Sequence, residues 1–188
     1  MDTMTSRAGS MPTDWRATIA VYTADDIAAR LGGLGDLLCA CVHDGASIGF
    51  VRPMTAGEGE AFWRDKVLPA VRDSTRLLLV GHRGATIAGS VQLDYDTPPN
   101  QTHRAEVRKL LVHPQFRRQG IARALMAELE RHASHLGRRL LTLDTRTGDA
   151  AEPLYTSLGY STAGVIPGYC RDPFEPRLDA TTIMYKAL

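Results

Sequence analysis

The chain has 188 residues, of which 44% are hydrophobic and 23% are charged, a composition that is typical of one folded domain and excludes a disordered or fibrous protein. Its formal net charge of +1 excludes a strong overall field for nucleic acid or an anionic membrane, so we expect neither as a partner. The sequence shows neither a signal peptide nor an apolar run of membrane-spanning length, and we expect a cytoplasmic protein.

The first half of the chain predicts a strand, three helices and a hairpin. Residues 1–14 mix Ser, Thr, Gly and Pro without apolar periodicity. We assign them to a flexible leader and place the domain at 15–188. Helical apolar spacing, interrupted at Gly32-Gly33, predicts the helices. The predicted elements are a strand at 16–22, helices at 24–30, 34–43 and 55–71, and strands at 77–82 and 85–95 around a turn at Arg83-Gly84.

The second half of the chain alternates strands with helices. The paired Pro98 and Pro99 require a loop. A strongly amphipathic helix follows later and ends at Gly137; its apolar stripe is Ile121, Leu125, Leu129 and Ala133. The predicted elements are a strand at 104–113, helices at 120–136 and 150–158, and strands at 140–145, 160–166 and 182–188. This order favours a single α/β domain with a mixed central sheet flanked by helices.

The three cysteines favour neither a disulfide framework nor a metal site. Cys39 and Cys41 are two residues apart in a predicted helix, where their side chains point in different directions. The chain has no Cys-x-x-Cys pair, and His132 and His135 do not belong to a His-Glu-x-x-His pattern. We therefore expect buried thiols in a reducing compartment, and no metal.

An anion-binding turn is predicted between the strand that ends at Pro114 and the long helix. The turn consists of Arg117, Arg118, Gln119, Gly120, Ile121 and Ala122. Its backbone N–H groups lie at the N-terminus of the helix, where they have no acceptor within the helix. Gly120 has no Cβ and therefore lets a phosphate approach the backbone closely. The turn lacks the glycine spacing of a P-loop or a Rossmann fingerprint. It therefore predicts a third kind of pyrophosphate cradle.

Two motifs resemble those of the GNAT acyltransferases. Leu110-Leu111-Val112-His113-Pro114, followed by Arg117-x-x-Gly120-x-Ala122, is similar to the coenzyme A motif of that family. Leu154-Tyr155-x-x-x-Gly159-Tyr160 is similar to its Leu-Tyr-x-x-x-Gly-Phe/Tyr motif, and residues 184–188 resemble its final strand. The resemblance implies a GNAT-like domain whose central parallel strands splay apart, with acetyl-CoA as the co-substrate.

Further segments are similar to the tabtoxin-resistance acetyltransferase group within that family. They are residues 44–50, 104–107, 143–145 and 167–170. This likeness implies acetylation of a primary amine of a small molecule, either amino-acid-like or an antimetabolite, and hence a role in antibiotic or toxin resistance. It also implies that a loop with Ser47 and Phe50 walls the amine pocket. The sequence does not fix the oligomeric state, and a homodimer is compatible with it.

The resemblance also assigns roles in the transfer. Backbone groups of Leu110, Leu111 and Val112 are expected to pair with the pantetheine arm, and an amide N–H of this strand is expected to stabilise the tetrahedral oxyanion. Tyr155 is expected to protonate the departing thiolate. Gly148 stands where many relatives have an asparagine that contacts the pantetheine.

Glu106 and Asp144 are the candidate general bases. The acceptor amine is mostly an ammonium with a pKa near ~10, so a proton must leave before attack, either directly to a carboxylate or through water. Strand alternation counted from Leu110 and Val112 places Glu106 on their side of the sheet, where it would face the acceptor because an unpaired buried carboxylate is costly.

Structural roles remain open for the same three side chains. Glu106 would form a surface ion pair with Arg104 or Arg108, and Asp144 would cap the loop before the next helix. Tyr155 would pack its helix against the sheet with a satisfied hydroxyl.

Two other classes of protein remain as alternatives. A non-catalytic acyl-CoA-binding regulatory module on the same scaffold would need neither Tyr155 nor the carboxylates, so these residues argue against it. Residues 45–49 fit the Gly-x-Ser-x-Gly pattern of serine hydrolases, but a predicted helix precedes them where a nucleophile elbow requires a strand.

Overall fold

Seven strands and the helices between them make up most of residues 17–188, which the computed structural model describes. The strands are β1 (Thr18–Tyr22), β2 (Arg76–Arg83), β3 (Thr86–Asp94), β4 (Arg104–Val112), β5 (Leu140–Arg146), β6 (Ser161–Arg171) and β7 (Leu178–Ala187). The helices are α1 (Ala24–Ala29), α2 (Leu31–His43), α3 (Ala56–Phe62), α4 (Leu68–Arg72), α5 (Ile121–His135) and α6 (Ala151–Ser157). A π-helical turn, Trp63–Val67, joins α3 to α4. The predicted leader at 1–14 lies outside the described residues.

The seven strands form one mixed sheet in the order β1-β2-β3-β4-β5-β7-β6. Neighbouring strands are antiparallel except β4 and β5, which are parallel because α5 crosses between them. Helix α5 packs on one face of the sheet and forms one hydrophobic core with it. Helices α1 to α4 pack on the opposite face and form a second core. The predicted α/β domain with a mixed sheet flanked by helices is confirmed. Over the described range, no helix combines the length and the apolar character that crossing a membrane demands.

The apolar stripe of α5 lies at the centre of the first core. Its members are all buried, as predicted; they are Ile121, Leu125, Leu129 and Ala133. They pack with buried residues of β3, β4 and β5, among them Val91, Val107 and Leu141. Burying each large aliphatic side chain contributes about 1.5–3 kcal/mol, so this core fixes the start of α5 relative to the end of β4.

The second core packs α1 to α4 on the other face of the sheet. Trp63, from the π-helical turn, is fully buried there. Helices α2 and α3 approach closely through two glycines, and a Cβ added to Gly59 would lie 2.9 Å from the carbonyl oxygen of Gly35. This packing fixes both ends of the loop between α2 and α3, which reaches the site described below.

The predicted boundaries of the first helices are wrong. α2 begins at Leu31 and continues through Gly32-Gly33. The break between α1 and α2 falls instead at Arg30, whose φ is −128°. Packing against α3 outweighs the low helix propensity of glycine in this segment.

The last two strands are longer than predicted. Pairing of β6 with β7 extends from Ser161 to Arg171, past a register shift between Ile166 and Cys170. The strand continues through Pro167 because β6 is the edge of the sheet, where a missing N–H leaves no ladder bond unmade.

Candidate active site

The parallel strands β4 and β5 pair over three residues and then part. The paired positions are Arg104 with Leu140, Ala105 with Leu141 and Glu106 with Thr142. Beyond them β4 continues to Val112 and β5 to Arg146 without pairing to each other. The predicted splay of the central strands is therefore confirmed, and backbone polar groups of β4 face the gap, where they need partners.

A β-bulge lies in β4 at Lys109. The φ of Lys109 is 49°, and the pairing with β3 shifts at the same point. Ser90 of β3 lies opposite Leu111, whereas Gln92, two residues later, lies opposite Arg108. β4 therefore holds one more residue than its partner over this stretch.

The bulge makes the predicted strand alternation wrong. Glu106 lies opposite Asp94 and shares the sheet face of Leu111, which packs with α1 to α4. Leu110 and Val112 pack instead with the core of α5. One inserted residue exchanges the two faces, so Glu106 lies on the opposite face from Leu110 and Val112.

A cleft of about 610 Å³ opens at the end of β4, beside the N-terminus of α5 and against α6. Most of the residues predicted to bind the coenzyme line it. They are Leu110, Leu111, Val112, Arg117, Arg118, Gly120, Ile121 and Ala122. The side chain of Gln119 points elsewhere, since its Oε1 accepts a hydrogen bond from Arg83 Nη2 at 2.8 Å. The apolar strand end suits a pantetheine arm, and the arginines suit a pyrophosphate.

The turn before α5 has the backbone geometry of an anion site. Arg118 and Gly120 are both left-handed, with φ of 61° and 79°. The first hydrogen bond of the helix runs from the Ala124 N–H to the Gly120 carbonyl at 3.0 Å, so the N–H groups of 121–123 have no acceptor within the helix. A Cβ added to Gly120 would meet no atom within 4 Å. Free N–H groups and open space at a helix N-terminus fit a phosphate.

Two arginines of the cleft were not among the predicted residues. Arg123 lies in the first turn of α5 and donates a hydrogen bond to Ser157 Oγ of α6 at 2.8 Å. Arg146 ends β5 and donates to the Gly45 carbonyl at 3.3 Å. Both line the cleft; the charge of Arg146 is matched by Asp149, Asp172 and Asp179, so of the two it is Arg123 that adds positive charge there. Arg123 follows the motif directly and was readable from it, whereas only the fold brings Arg146 to this place.

Glu106 and Asp144 lie on the sheet face that α1 to α4 cover, at and beyond the point where the strands part. Glu106 Oε1 accepts a hydrogen bond from Arg108 Nε at 3.0 Å, and 32% of the Glu106 side chain is exposed. One of the two ion pairs left open from the sequence is thus present. Asp144 lies two residues beyond Thr142, the β5 partner of Glu106, and is exposed. Both carboxylates are accessible from the same face.

Tyr155 lies on α6, beside β5, and only 6% of its surface is exposed. Its ring packs edge-on against Tyr160, with 5.7 Å between ring centroids, so the packing part of the structural role left open from the sequence is present. Burial, and then the charges of Asp144 and Asp149, raise the pKa of the Tyr155 phenol above its ordinary value. The hydroxyl therefore stays protonated at neutral pH.

The loop between α2 and α3 is fastened to neighbouring elements at both of its ends. The Arg52 N–H donates to the Pro173 carbonyl, between β6 and β7, at 3.1 Å. At its start, Asp44 forms an ion pair with Arg117 of the phosphate turn. We call residues 44–54 the acceptor loop, because the sequence predicts that Ser47 and Phe50 in it wall the amine pocket.

Ser47 and Phe50, both predicted to contact the acceptor, lie in this loop. Ser47 Oγ is 3.4 Å from Cys170 Sγ of β6, and the Phe50 ring packs edge-on against Phe62 of α3. Helix α2 precedes residues 45–49, so this segment does not have the strand–turn–helix geometry of a nucleophile elbow.

The cysteines differ in their surroundings. Cys41 is buried and lines the cleft, and burial raises the pKa of its thiol to about 11. Cys39 and Cys170 are only half-buried, so the expectation of buried thiols is correct for Cys41 alone. Within 17–188, no group of three or more His, Cys, Asp or Glu side chains is placed to hold a metal ion.

Gly148 offers no ready substitute for an asparagine. Its φ is 78°, and its N–H already donates to Glu152 Oε2 at 2.8 Å. A contact from the Gly148 N–H to a ligand would have to displace this hydrogen bond.

Comparison with known sequences identifies one matching family and several relatives. The model of the Acetyltransferase (GNAT) family matches residues 48–160. An acetyltransferase of Yersinia pestis (strain Pestoides F) is 33% identical over 108 residues, which are 55% of this chain and 73% of the relative. An acetyltransferase of Yersinia enterocolitica matches to the same extent.

Solved structures with the same fold cover nearly the whole chain. The yncA acetyltransferase of Salmonella typhimurium, solved with its cofactor acetyl-CoA, superposes with a TM-score of 0.73 at 20% identity, over 92% of this chain and 94% of its own. The ribosomal-protein-alanine N-acetyltransferase of Brucella melitensis gives 0.72 at 22% identity, over 91% and 99%. At such identities the likeness concerns the fold.

Proposed function

Because the chain belongs to the GNAT acetyltransferase family and is an acetyl-CoA-dependent N-acetyltransferase, we propose that its acceptor is the primary amine of a small, amino-acid-like molecule. The observation that carries this proposal is the fastened acceptor loop. Its bonds to Pro173 and Arg117 hold the loop in place at both ends, and we expect a loop so fixed to admit a compact molecule rather than an extended peptide. The names of similar structures do not decide the matter, since they include a protein-alanine and a phosphinothricin acetyltransferase.

The cleft would hold the coenzyme through two kinds of contact. Free N–H groups at the start of α5, with Arg123, would bind the pyrophosphate. Backbone groups of β4 that face the gap, among those of Leu110, Leu111 and Val112, would bind the pantetheine as a neighbouring strand would. The Val112 carbonyl already accepts hydrogen bonds from Cys41 Sγ and Arg117 Nε. When bound, acetyl-CoA supplies an activated acetyl thioester.

In a direct transfer, a carboxylate would accept a proton from the acceptor and Tyr155 would donate one to the leaving group. Glu106 or Asp144 accepts the ammonium proton, directly or through water, and the free amine attacks the thioester carbon. A β4 amide N–H stabilises the oxyanion. The carbon–sulfur bond then breaks and the thiolate leaves. Tyr155 donates a hydrogen bond and finally a proton to the thiolate, and its phenolate regains a proton from the nitrogen of the new amide, so that the carboxylate takes up the one proton released overall. Its raised pKa favours hydrogen bonding over early proton release. No covalent enzyme intermediate is needed.

The likeness to the tabtoxin-resistance group supports a more specific role. Residues 44–50 and 167–170 carry that likeness, and they are in contact through Ser47 and Cys170. An antimetabolite with a primary amine is therefore the acceptor that we propose, and its acetylation would protect the cell.

The proposal is tested with a panel of amines. Purified protein and acetyl-CoA are mixed with amino acids, diamines and a hexapeptide with a free N-terminus, and released thiol and acetylated product are measured. We expect thiol release with amino-acid-like amines and little with the peptide. Preference for the peptide would contradict the small acceptor. Binding of acetyl-CoA without thiol release from any amine would favour a non-catalytic acyl-CoA-binding module.

Replacing Glu106 tests the base. Glu106→Gln is expected to lower kcat/KM roughly 100-fold near pH 7 and progressively less toward the amine pKa of about 10, because less ammonium then needs deprotonation. Asp144→Asn is compared in the same pH series to decide which carboxylate accepts the proton. Arg108→Met is the matched control, since it breaks the same ion pair but leaves the carboxylate. Uniform losses over the whole pH range in both carboxylate variants would exclude either as the base.

A further inference from the structure

Lys109 is a half-buried lysine in the wall of the acceptor side. Its Nζ lies 5.8 Å from the centre of the Phe50 ring and 6.0 Å from that of Phe62. Among residues 17–188 it takes part in no salt bridge, whereas Arg76 and Arg108 of the same region both do. A cation withdrawn from water without a counter-charge is costly, so the surroundings of Lys109 are incomplete without an anion.

The β-bulge aims Lys109 at the acceptor loop. The left-handed φ of 49° at Lys109 departs from strand geometry and leaves the side chain against the loop. A Cβ added to Gly49 would lie 3.6 Å from Lys109 Nζ, and Phe50 is its neighbour on the same loop. The ammonium group is thus at the place where the loop would contact an acceptor.

Buried polar atoms next to Lys109 lack hydrogen-bond partners. In the described part of the chain, three such atoms lie on β2 and β3; Arg76 Nε and Gln92 Nε2 can only donate, and Ser90 Oγ can donate or accept. All three residues belong to the sheet face that α1 to α4 cover. The carboxylates of the adjacent positions, Asp94 and Glu106, are already bonded to arginines. Buried donors are normally satisfied, so this face also lacks an acceptor group.

We propose that Lys109 binds a carboxylate of the acceptor molecule, so that the acceptor is a zwitterionic amino acid or a close analogue. This inference rests on the proposed function and specifies its substrate class. The carboxylate would lie toward Lys109 and the ammonium toward Asp144 of β5, across the gap, or toward Glu106, three residues before Lys109 on β4. The positive charge of Lys109 and the negative charges of the two carboxylates would orient the molecule with its amine toward the thioester.

The titration behaviour of Lys109 agrees with this placement. Burial, and then the positive charge of Arg108, lower the pKa of Lys109. A bound carboxylate would counteract both effects and hold the lysine in its charged form. The charges of Asp144 and Glu106 also raise the pKa of Lys109. Glu106 is already paired with Arg108, whereas Asp144 is exposed and remains available to the acceptor ammonium.

The test uses acceptor pairs that differ only in the carboxylate. kcat/KM is measured for L-methionine against L-methioninamide and for L-lysine against L-lysinamide, with the wild type, Lys109→Met and Lys109→Arg. Because a hydrogen bond to a charged group is involved, the acid-to-amide ratio of kcat/KM is expected to fall about 10- to 100-fold from the wild type to Lys109→Met. Lys109→Arg should recover part of this loss. Comparing ratios cancels the difference in amine pKa between acid and amide.

Lys66→Met, on the exposed π-helical turn, is the matched control and should keep the wild-type preference. An acid-to-amide ratio that is unchanged in Lys109→Met would overturn the Lys109 assignment but leave the proposed function standing. Refusal of every amine would contradict the proposed function instead. In that case calorimetric titration of the same pairs into the protein with coenzyme A decides about Lys109, since only tighter binding of the acids that is lost in Lys109→Met agrees with the inference.

Discussion

Replacing Gly120 with valine is expected to weaken acetyl-CoA binding by at least ~100-fold. The space above Gly120 is open, and a valine side chain would fill it and keep a phosphate away from the N–H groups of the turn. Loss of two hydrogen bonds to a charged group, at about 1.5–3 kcal/mol each, accounts for this factor. Calorimetric titration with acetyl-CoA measures it.

A second glycine separates this effect from backbone strain. Gly137, at the other end of α5, has a φ of 70°, close to the 79° of Gly120, and a Cβ there also meets no atom within 4 Å. Gly137→Val should therefore show a similar loss of thermal stability, from a left-handed side chain, with coenzyme affinity retained. If Gly120→Val binds acetyl-CoA as tightly as Gly137→Val does, the turn is not the pyrophosphate site.

Replacing Tyr155 with phenylalanine is expected to lower kcat roughly 100-fold with little change in acetyl-CoA affinity. The ring, and so its packing against Tyr160, is kept, and only the hydroxyl that would serve the departing thiolate is lost. Because the pKa of Tyr155 is raised, the wild-type rate should not fall through its ionisation between about pH 7 and 9. Steady-state kinetics over that range, with titration of the coenzyme, provide both readouts.

Tyr160→Phe is the control for this variant. The Tyr160 ring belongs to the same aromatic pair, but its hydroxyl is buried and points toward Glu130 rather than into the cleft. Its removal should leave kcat within about threefold, as for a neutral buried group without a firm partner. A wild-type kcat in Tyr155→Phe, or equal losses in both variants, would show that Tyr155 only packs.

Local sequence patterns predicted the scaffold because they report interactions between neighbouring residues. The stripe of α5 was readable from its spacing, and Gly120 from its place before a helix. The bulge at Lys109 was not readable, because nothing in a lysine signals a left-handed φ, and strand alternation assumes a regular ladder. That single residue misplaced Glu106 relative to Leu110.

Contacts between segments that are far apart along the chain could not be predicted from the sequence. Arg146 enters the cleft only because β5 lies beside β4, and the acceptor loop takes its position from Pro173 near the other end of the chain. Arg76 and Gln92 carry unpaired donors that support the inference about Lys109. They too come near Lys109 only because β2, β3 and β4 pair with one another. Such sites depend on topology, which local periodicity does not encode.

The three residue pairs between β4 and β5 form a short seam that connects two parts of the sheet. Four strands lie on one side of this seam and three on the other. A pantetheine arm lying in the seam would act as a short eighth strand that completes the sheet. Bound coenzyme would then hold the two parts of the sheet together. Release of coenzyme A after the reaction would loosen the seam, which is also the place where the next acetyl-CoA binds.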